Sequence, residues 1–324
     1  GDDREDSEGD GSNIGIDGDT ALIAFEDEPI DGDHCEYGGT AVSTGLDQDG
    51  DDVLDPEEIT DTQYICNGEP GATTCLGDAV INNAADATLF AGCTIITGKL
   101  ELNGAAITVL DLSKLESVGG DLNIRNSTTL TDIDLSALRS VGEGIDIGYD
   151  SALTALDLSS LESVGDDFYI SGVDVLTEVD LPALVTMDGD LEISDDPSLI
   201  EIHISALPAI VGGLYLYGGN DALTVVDMPE ITSIGGDIDF QANLAITTIG
   251  FPALTSAGKS LQFRDNAALT TLEFPALTSV ETTLKIKNNV SLPPSDADAV
   301  SAQLVGDGAP ETVVICGNNG QASC

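Results

Sequence analysis

Apolar residues recur along the middle of the chain at fixed offsets within a unit of 23 residues. The unit occupies residues 120–142, 143–165, 166–188 and 189–211. Each copy opens on a short alternation of apolar and polar positions, such as Leu122-Asn123-Ile124, and resumes it after a turn rich in Asn, Asp and Gly. Alternation over short runs is typical of strands, and self-similarity at this period is typical of stacked coils. The pattern therefore predicts a mainly β, parallel β-helical solenoid with three short strands per coil.

The repeat extends beyond these four units. The leading strand begins at Leu100, Leu122, Ile145, Phe168, Leu191, Leu214, Ile238, Leu261 and Leu284. Successive positions are 22, 23, 23, 23, 23, 23, 24 and 23 residues apart. We place the extra residue of the long step in the turn at Gly218-Gly219, where an insertion costs least. This register predicts eight to nine coils over residues 98–292, and a short closing helix over residues 295–304.

The remaining segments flank the coils. Residues 1–20 are acidic and rich in Gly and Ser, which predicts a flexible tether. Residues 21–71 form a small module, residues 72–97 an N-terminal cap and residues 293–324 a C-terminal cap. We predict three disulfides within these segments, because nearest-neighbour cysteines bracket single modules and lack the CxxC spacing of metal clusters; other connectivities stay open. The predicted pairs are Cys35–Cys66, Cys75–Cys93 and Cys316–Cys324.

Charge narrows the classes of partner. The chain holds 59 acidic and 9 basic residues, for a formal net charge of −50. Such a surface repels nucleic acid and anionic membrane leaflets, so cations are its natural counterparts. No apolar run is long enough to span a bilayer, and three disulfides would indicate an oxidising compartment. The expected location is extracellular or on the cell surface.

The coils carry a motif, G-D-L-x-I followed by L-T-x-[IVL]-D-[LM]-[SP]-x-[LI]-x-S-[VI]-G, preceded by Cys75 and Cys93 in CLGDAVINNAADATLFAGCTIITGKLELNG. This combination resembles receptor L-domain repeats, both those of growth-factor receptors and the related repeats of fungal cell-wall and bacterial surface proteins. The resemblance covers residues 75–324. It implies a right-handed parallel β-helix of leucine-rich character with a binding or structural role outside the cell. It does not identify a ligand.

A second resemblance concerns CEYGGTAVSTGLDQDGDDVLDPEEITDTQYICNGEPG. This segment is similar to a small cysteine-bracketed acidic module that precedes repeats in bacterial secreted surface proteins. It implies a bacterial exterior, and a lipid-anchored precursor would fit the acidic start of the chain.

The same segment contains an acidic loop with the ligand spacing of an EF-hand. Oxygen donors recur at loop positions 1, 3, 5, 9 and 12, and position 7 supplies a backbone carbonyl. The predicted Ca²⁺ ligands are Asp47, Asp49, Asp51, Val53, Asp55 and Glu58. Asp52 replaces the usual glycine at position 6, and Asp tolerates the left-handed conformation needed there. The alternative is an acidic surface turn without an ion.

Equivalent positions of successive coils should form columns about 4.8 Å apart. One column holds Asp111, Asp134, Asp157, Asp180, His203, Asp227, Gly250 and Glu273. We interpret it as aspartates that bind local amides, with a ladder of divalent cations as the alternative.

A column of threonines is interpreted as hydroxyls that support sheet packing. On the leading strand, we take Asp146, Tyr169, Glu192, Tyr215, Tyr217 and Asp239 as a candidate ligand-binding face, against the simpler reading of ordinary strand formers.

No catalytic constellation stands out. His34 and His203 are the only histidines, and neither has a Ser, Cys or metal-ligand partner at a recognisable spacing. Arg125 and Arg139 are expected to form ion pairs with Asp134 and Glu116. Asn126 and Asn289 match the glycosylation signal, although turn asparagines explain them equally.

These features favour a non-catalytic surface protein, stabilised by Ca²⁺, that serves adhesion, ligand binding or envelope structure. Its partner would be a cell-surface glycan or protein. A head-to-tail filament subunit is one alternative, because cationic residues gather in the last coils while the N-terminal segments are acidic. A polysaccharide-cleaving enzyme is the other, and it would depend on Asp134 and Asp157.

Overall fold

The computed structural model describes residues 20–30, 37–47, 54–66 and 73–324. The chain divides into two compact units, Gly1–Thr74 and Cys75–Cys324. In the first unit, the described residues form an antiparallel sheet of β1 (Thr20–Ile30), β2 (Tyr37–Asp47) and β3 (Ile59–Cys66), with β2 in the middle. Gly45 pairs with Ile59. A Cβ atom at Gly45 would lie 2.1 Å from the carbonyl oxygen of Glu58, so this close approach of the strands requires glycine.

The second unit is a parallel β-solenoid of about nine coils, which confirms the predicted fold class. Its strands lie on three faces. Face 1 is one continuous sheet of eleven parallel strands, the longest in the molecule's described part. Its members are β5 (Ala79–Ile81), β7 (Leu100–Asn103), β10 (Leu122–Arg125), β13 (Ile145–Gly148), β16 (Phe168–Ser171), β19 (Leu191–Ser194), β22 (Leu214–Leu216), β25 (Ile238–Gln241), β28 (Ser260–Arg264), β31 (Thr283–Lys287) and β32 (Thr312–Cys316).

Faces 2 and 3 are built from shorter strands in several separate sheets. Face 2 consists of β8 (Val109–Asp111), β11 (Asp132–Asp134), β14 (Ala155–Asp157), β17 (Glu178–Asp180), β20 (Glu201–His203), β23 (Val225–Asp227), β26 (Thr248–Gly250) and β29 (Thr271–Glu273). Face 3 consists of β4 (Thr74–Cys75), β6 (Ile95–Ile96), β9 (Ser117–Val118), β12 (Ser140–Val141), β15 (Ser163–Val164), β18 (Thr186–Met187), β21 (Ala209–Ile210), β24 (Ser233–Ile234), β27 (Ser256–Ala257) and β30 (Ser279–Val280).

The core runs along the inside of the three faces. Equivalent residues pair in register, as Leu122 does with Leu100 and Ile145, so the apolar positions of each coil stack on those of its neighbours. These inward side chains are almost fully buried. Toward the C-terminal end, phenylalanines replace leucines, and the rings of Phe240 and Phe263 meet edge to face with centroids 5.8 Å apart. Burial of this apolar column is the main term that stabilises the stack.

A ladder of buried residues joins the coils at the turn after face 1, and we call it the amide ladder because side chains of one coil accept the backbone amides of the coil before it. The residue before each rung adopts a left-handed conformation, as Asn126, Asp195 and Asn288 do. The rungs are Ser127, Asp150, Val173, Asp196, Asn220, Asn243, Asn266, Asn289 and Asn318. In the asparagine rungs, the side-chain oxygen accepts the rung amide of the coil before it, and the Nδ2 group donates to a strand carbonyl of that coil. The ladder thus satisfies backbone groups that the turn leaves without partners.

Threonines tie the turns before face 2 together. The hydroxyl groups of Thr131, Thr154 and Thr270 each donate to the backbone carbonyl of the equivalent threonine one coil earlier, at 2.9 to 3.1 Å. The threonine column therefore supports the packing of the coils, as interpreted from the sequence.

Both ends of the solenoid are closed. At the N-terminal end, helix α1 (Ala84–Phe90) is capped by the Asn83 side chain, and a disulfide joins Cys75 to Cys93. At the C-terminal end, helix α2 (Pro294–Gln303) confirms the predicted closing helix, a short 3₁₀ turn spans Gly306–Gly308, and a disulfide joins Cys316 to Cys324. The predicted Cys35–Cys66 pair stays a prediction, because Cys35 lies outside the described residues.

Candidate ligand-binding face and carboxylate clusters

Face 1 brings the predicted ligand-face residues into one column. Asp146, Tyr169, Glu192, Tyr215 and Asp239 occupy equivalent positions of β13, β16, β19, β22 and β25 and pair in register. Because alternate residues of a strand point to opposite sides of the sheet, these five lie on the side away from the core. Tyr217 follows β22 directly, and its ring stacks on that of Tyr215 with centroids 5.6 Å apart. The sequence pattern therefore predicted the column correctly.

A second row of carboxylates lies beside this column at the start of face 1. Its members are Asp121, Asp167, Asp190 and Asp237, and the Oδ1 atom of each accepts the equivalent backbone N–H of the next coil at 2.6 to 3.1 Å. The hydroxyl group of Tyr169 donates to Oδ2 of Asp167 at 2.7 Å. This row was not recognised in the sequence, although Gly-Asp precedes the leading strand at Asp121, Asp190 and Asp237.

Two arginines bound the aromatic part of the face. Arg125 pairs with Asp146, and its guanidinium group also lies 5.3 Å from the ring centroid of Tyr149. Arg264 pairs with Asp239, which is 5% exposed.

The expected partners of Arg125 and Arg139 were wrong: Arg125 belongs to face 1 rather than to the Asp134 column, and Arg139 pairs with Glu162 at 2.7 Å. In both cases the carboxylate partner belongs to the next coil, because the stacking of coils places it within reach of the arginine side chain.

Partial burial raises the pKa of several acidic side chains and tyrosines of face 1. Burial raises the pKa of Asp146 and of Asp239, although the paired arginines oppose the rise. Burial, reinforced by Asp190 and Asp167, raises the pKa of Glu192. Burial also raises the pKa of Tyr215 and Tyr217 to about 12, so both phenols keep their protons at neutral pH. The face thus combines carboxylate acceptors with phenol groups that can donate.

Shallow concavities open beside these residues. A cavity of about 190 Å³ is lined by Asp121, Asn123, Asp146, Asp167 and Tyr169. A neighbouring cavity of about 220 Å³ is lined by Glu101, Asn103, Asn123, Arg125 and Asp146. Each is smaller than the usual pocket for a drug-sized ligand, so the face suits an extended ligand that lies across several coils.

Face 2 holds the aspartate column. The Oδ1 atoms of Asp111, Asp134 and Asp157 accept the amide N–H groups of Ser113, Ser136 and Ser159 at 3.0 to 3.1 Å. This is the local capping role that we favoured over a cation ladder. Asp134 and Asp157 also line an acidic cavity of about 620 Å³ together with Asp132, Glu178 and Asp180.

Further along face 2, His203 takes the position that aspartates occupy in the neighbouring coils. Its Nε2 atom lies 3.2 Å from Oε2 of Glu201, and its Nδ1 atom lies 3.7 Å from Oδ2 of Asp227. One ligand atom from each of Glu178, Glu201 and His203 lies within 4.8 Å of the others. The sequence shows no recognisable ligand spacing around His203, and the stacked coils nevertheless bring carboxylates close to it. The partners lie 2, 24 and 25 residues away, so only the stacking of coils, and no local motif, brings Asp227 and Glu178 to it.

The two glycosylation signals differ in accessibility. Asn126 is exposed at its turn, whereas Asn289 is fully buried as a rung of the amide ladder. Its Nδ2 group donates to the carbonyl of Phe263 at 2.9 Å. The turn interpretation therefore holds for Asn289.

The predicted calcium loop is described only in part. Asp49, Asp51 and Val53 lie outside the described residues. Asp47 ends β2 and is 5% exposed, while Glu58 precedes β3 and is 7% exposed. Oε2 of Glu58 accepts the N–H of Asp55 at 3.2 Å. The hairpin therefore holds the first and last predicted ligands at neighbouring strand ends, which is compatible with a loop that closes around Ca²⁺.

Comparison with known proteins adds one finding. Residues 21–66 match a family described as a domain of unknown function (DUF7151). This match covers the first unit's sheet and not the solenoid. No curated protein and no solved structure matches the chain. Among the described residues, no helix is long and apolar enough to cross a membrane.

Proposed function

We propose that this chain is a non-catalytic extracellular surface protein whose solenoid binds a cell-surface glycan through face 1. The observation that carries the proposal is a group of tyrosines set among carboxylates on a long, continuous sheet: Tyr169 and Tyr215 belong to the column, and Tyr217 stacks on Tyr215. Aromatic rings offer flat apolar surfaces with a polar edge. The neighbouring carboxylates accept hydrogen bonds strongly. A sugar chain presents apolar ring faces and hydroxyl donors, so it matches both features.

Several features support an extracellular setting. Two disulfides close the ends of the solenoid, and disulfides persist in oxidising compartments. The surface charge disfavours nucleic acid and anionic lipid as partners. The resemblance of the coils to receptor L-domain repeats, and of the N-terminal module to bacterial secreted proteins, supports a bacterial cell surface, where a lipid-anchored precursor would hold the chain. Ca²⁺ in the β2–β3 loop would then have a structural role.

The binding proposal is tested by a glycan array followed by calorimetry with the best glycan. We expect the double variant Tyr215→Ala, Tyr217→Ala to lose binding by at least about tenfold, or about 1.4 kcal/mol, because it removes both rings on which a sugar ring would pack. A matched control is Val109→Ala, Val185→Ala, since both valines are exposed and lie on face 2 and in the turn before face 3. Equal loss in both variants, or no bound glycan, would contradict the proposal.

A head-to-tail filament is the second candidate, because four of the eight described cationic residues lie at the C-terminal end of the solenoid while the N-terminal segments of the chain are acidic. Lys259, Arg264, Lys285 and Lys287 all lie in the last two coils. Sedimentation at low and high salt tests this arrangement. A filament that uses the cationic end should dissociate when salt screens the charges and should not form in Lys285→Glu, Lys287→Glu. A monomer under all conditions would exclude it.

A catalytic function has less support than a binding function. Asp134 and Asp157, the residues on which a polysaccharide-cleaving reaction would depend, hold the amide groups of their own turns. We therefore propose a structural role for both.

A further inference from the structure

Glu178, Glu201 and His203 form a polar cluster on face 2. Glu178 pairs in register with Glu201, and Asp180 pairs in register with His203. In the next coil, His203 is paired with Asp227. The imidazole thus lies on one strand of a parallel sheet, between carboxylates from the strand before, its own strand and the strand after.

The glutamate pair is unusual within its own column. The equivalent positions of the described strands are Val109, Asp132, Ala155, Glu178, Glu201, Val225, Thr248 and Thr271. In this column, Glu178 and Glu201 are the only carboxylates in adjacent coils. Like charges directly opposite each other destabilise a sheet, so the pair needs a compensating positive group. The chain places the one described histidine beside this pair and at no other coil.

The ligand atoms of the three side chains are near enough for small side-chain movements to bring them onto one ion. The Nε2 atom faces Glu201, and the ligand atoms of all three residues lie within 4.8 Å of one another. The Nδ1 atom lies on the other side of the ring, near the carboxylate of Asp227. Metal-binding histidines commonly direct their second nitrogen toward a carboxylate, which fixes the tautomer and the ring orientation. Asp227 is placed to act in this way.

From this juxtaposition we propose that Glu178, Glu201 and His203 bind one divalent transition-metal ion of the Zn²⁺ class, oriented by Asp227. One imidazole nitrogen with two carboxylates is a mixed N/O donor set, which Zn²⁺ accepts readily. Ca²⁺ and Mg²⁺ prefer oxygen ligands alone. The site is therefore chemically distinct from the predicted calcium loop of the first unit, and it is independent of glycan binding at face 1.

The experiment must separate this site from weak binding by the many surface carboxylates. Titration of the full chain with ZnCl₂, in a large excess of Mg²⁺, is followed by calorimetry and by ¹⁵N NMR of the imidazole nitrogens. The variant His34→Gln leaves His203 as the single histidine and assigns its signals. We expect one equivalent of Zn²⁺ to bind and to shift the Nε2 resonance of His203, while Ca²⁺ leaves it in place.

Variants then test each ligand. His203→Asn and Glu201→Gln should each lower the Zn²⁺ affinity by at least about tenfold. Glu162→Gln is the matched control, because it also removes one partly exposed carboxylate that pairs with a basic side chain. An unshifted imidazole at one equivalent of Zn²⁺ would overturn the proposal, and so would a His203→Asn variant that binds Zn²⁺ as the parent chain does. The NMR result stands even if that variant fails to fold.

Discussion

At the scale of single residues, the amide ladder shows why asparagine and aspartate are not equivalent. An asparagine rung accepts one hydrogen bond and donates another, as Asn243 does to the carbonyl of Leu216 at 2.9 Å. Asp150 and Asp196 occupy the same position and accept the rung amides of Ser127 and Val173 through Oδ1. Their Oδ2 atoms are buried and have no hydrogen-bond partner. A proton on Oδ2 would restore the missing donor.

The resulting pH dependence has a definite sign. Burial raises the pKa of Asp150 to about 6 and of Asp196 to about 7. In the unfolded chain, the pKa of both carboxyl groups is about 3.9. Between these values the folded chain holds more protons than the unfolded chain. The stabilising contribution of protonation is therefore complete below about pH 4 and is lost as the pH rises through 6 to 7. We predict that Asp196→Asn raises the free energy of unfolding at pH 8 by roughly 2–4 kcal/mol and changes it little at pH 4.

Denaturant unfolding of parent and variant at both pH values measures this difference. Asp195→Asn is the matched control, since Asp195 is the exposed neighbour and loses the same charge. The reciprocal change Asn243→Asp should create a third orphaned oxygen and destabilise the fold at pH 8. If Asp195→Asn stabilises as much as Asp196→Asn, general charge repulsion rather than the ladder explains the effect.

The sequence predicted only some of the contacts that residues of the candidate sites make. The period of 23 predicts which residues share a column, so the alignment of Tyr169, Glu192 and Tyr215 could be foreseen. It does not predict which side chains bond to the backbone of the next coil, because an Asn or Asp in a turn fits local capping equally well. The ladder asparagines were read as turn residues for this reason. The proximity of His203 to Glu178 was missed because each column was considered by itself.

At the scale of elements, the caps determine how the ends of the solenoid behave. Each coil contacts only its neighbours, so a terminal coil has stabilising contacts on one side alone. The Cys75–Cys93 disulfide ties β4 to the segment after α1, and Cys93 is buried in the core. We predict that Cys75→Ala, Cys93→Ala destabilises the N-terminal coils by about 3 kcal/mol. Hydrogen exchange should show faster exchange in β5, β7 and β10, with little change beyond the middle coils.

The opposite cap supplies the control. Cys316→Ala, Cys324→Ala should speed exchange in β31 and β32 and leave the first coils protected. If either double variant loosened both ends equally, the solenoid would unfold as one cooperative unit, and the nearest-neighbour description would be incorrect.

The sequence predicted elements more reliably than contacts. Strand positions and the closing helix followed from apolar spacing, because a slip of one residue would expose a whole column of leucines. The long step between Leu214 and Ile238 was also placed correctly: Gly219 adopts a positive φ of 99°, and the rung of that coil lies 24 residues after Asp196. The division of faces 2 and 3 into separate sheets was not foreseen, since strands of two or three residues end where small backbone shifts break the ladder.

At the scale of the whole molecule, the net charge of −50 opposes compactness. The solenoid distributes this repulsion along its length and offsets part of it with side chains that bind backbone amides, as Asp167 and Asp190 do. Salt should therefore stabilise both compact units through screening. A specific calcium site would add an effect in the first unit alone.

These two contributions can be separated by calorimetry. NaCl should raise the unfolding midpoints of the whole chain, whereas CaCl₂ at the same ionic strength as MgCl₂ should raise the midpoint of the first unit further, because a ligand that binds only the folded state stabilises it. Asp47→Asn should abolish that calcium-specific increment and retain the response to NaCl. Asp61→Asn, on the same unit but outside the predicted loop, is the control. An identical response to Ca²⁺ and Mg²⁺ in the parent chain would mean that the loop is an acidic turn and that screening alone explains the dependence on cations.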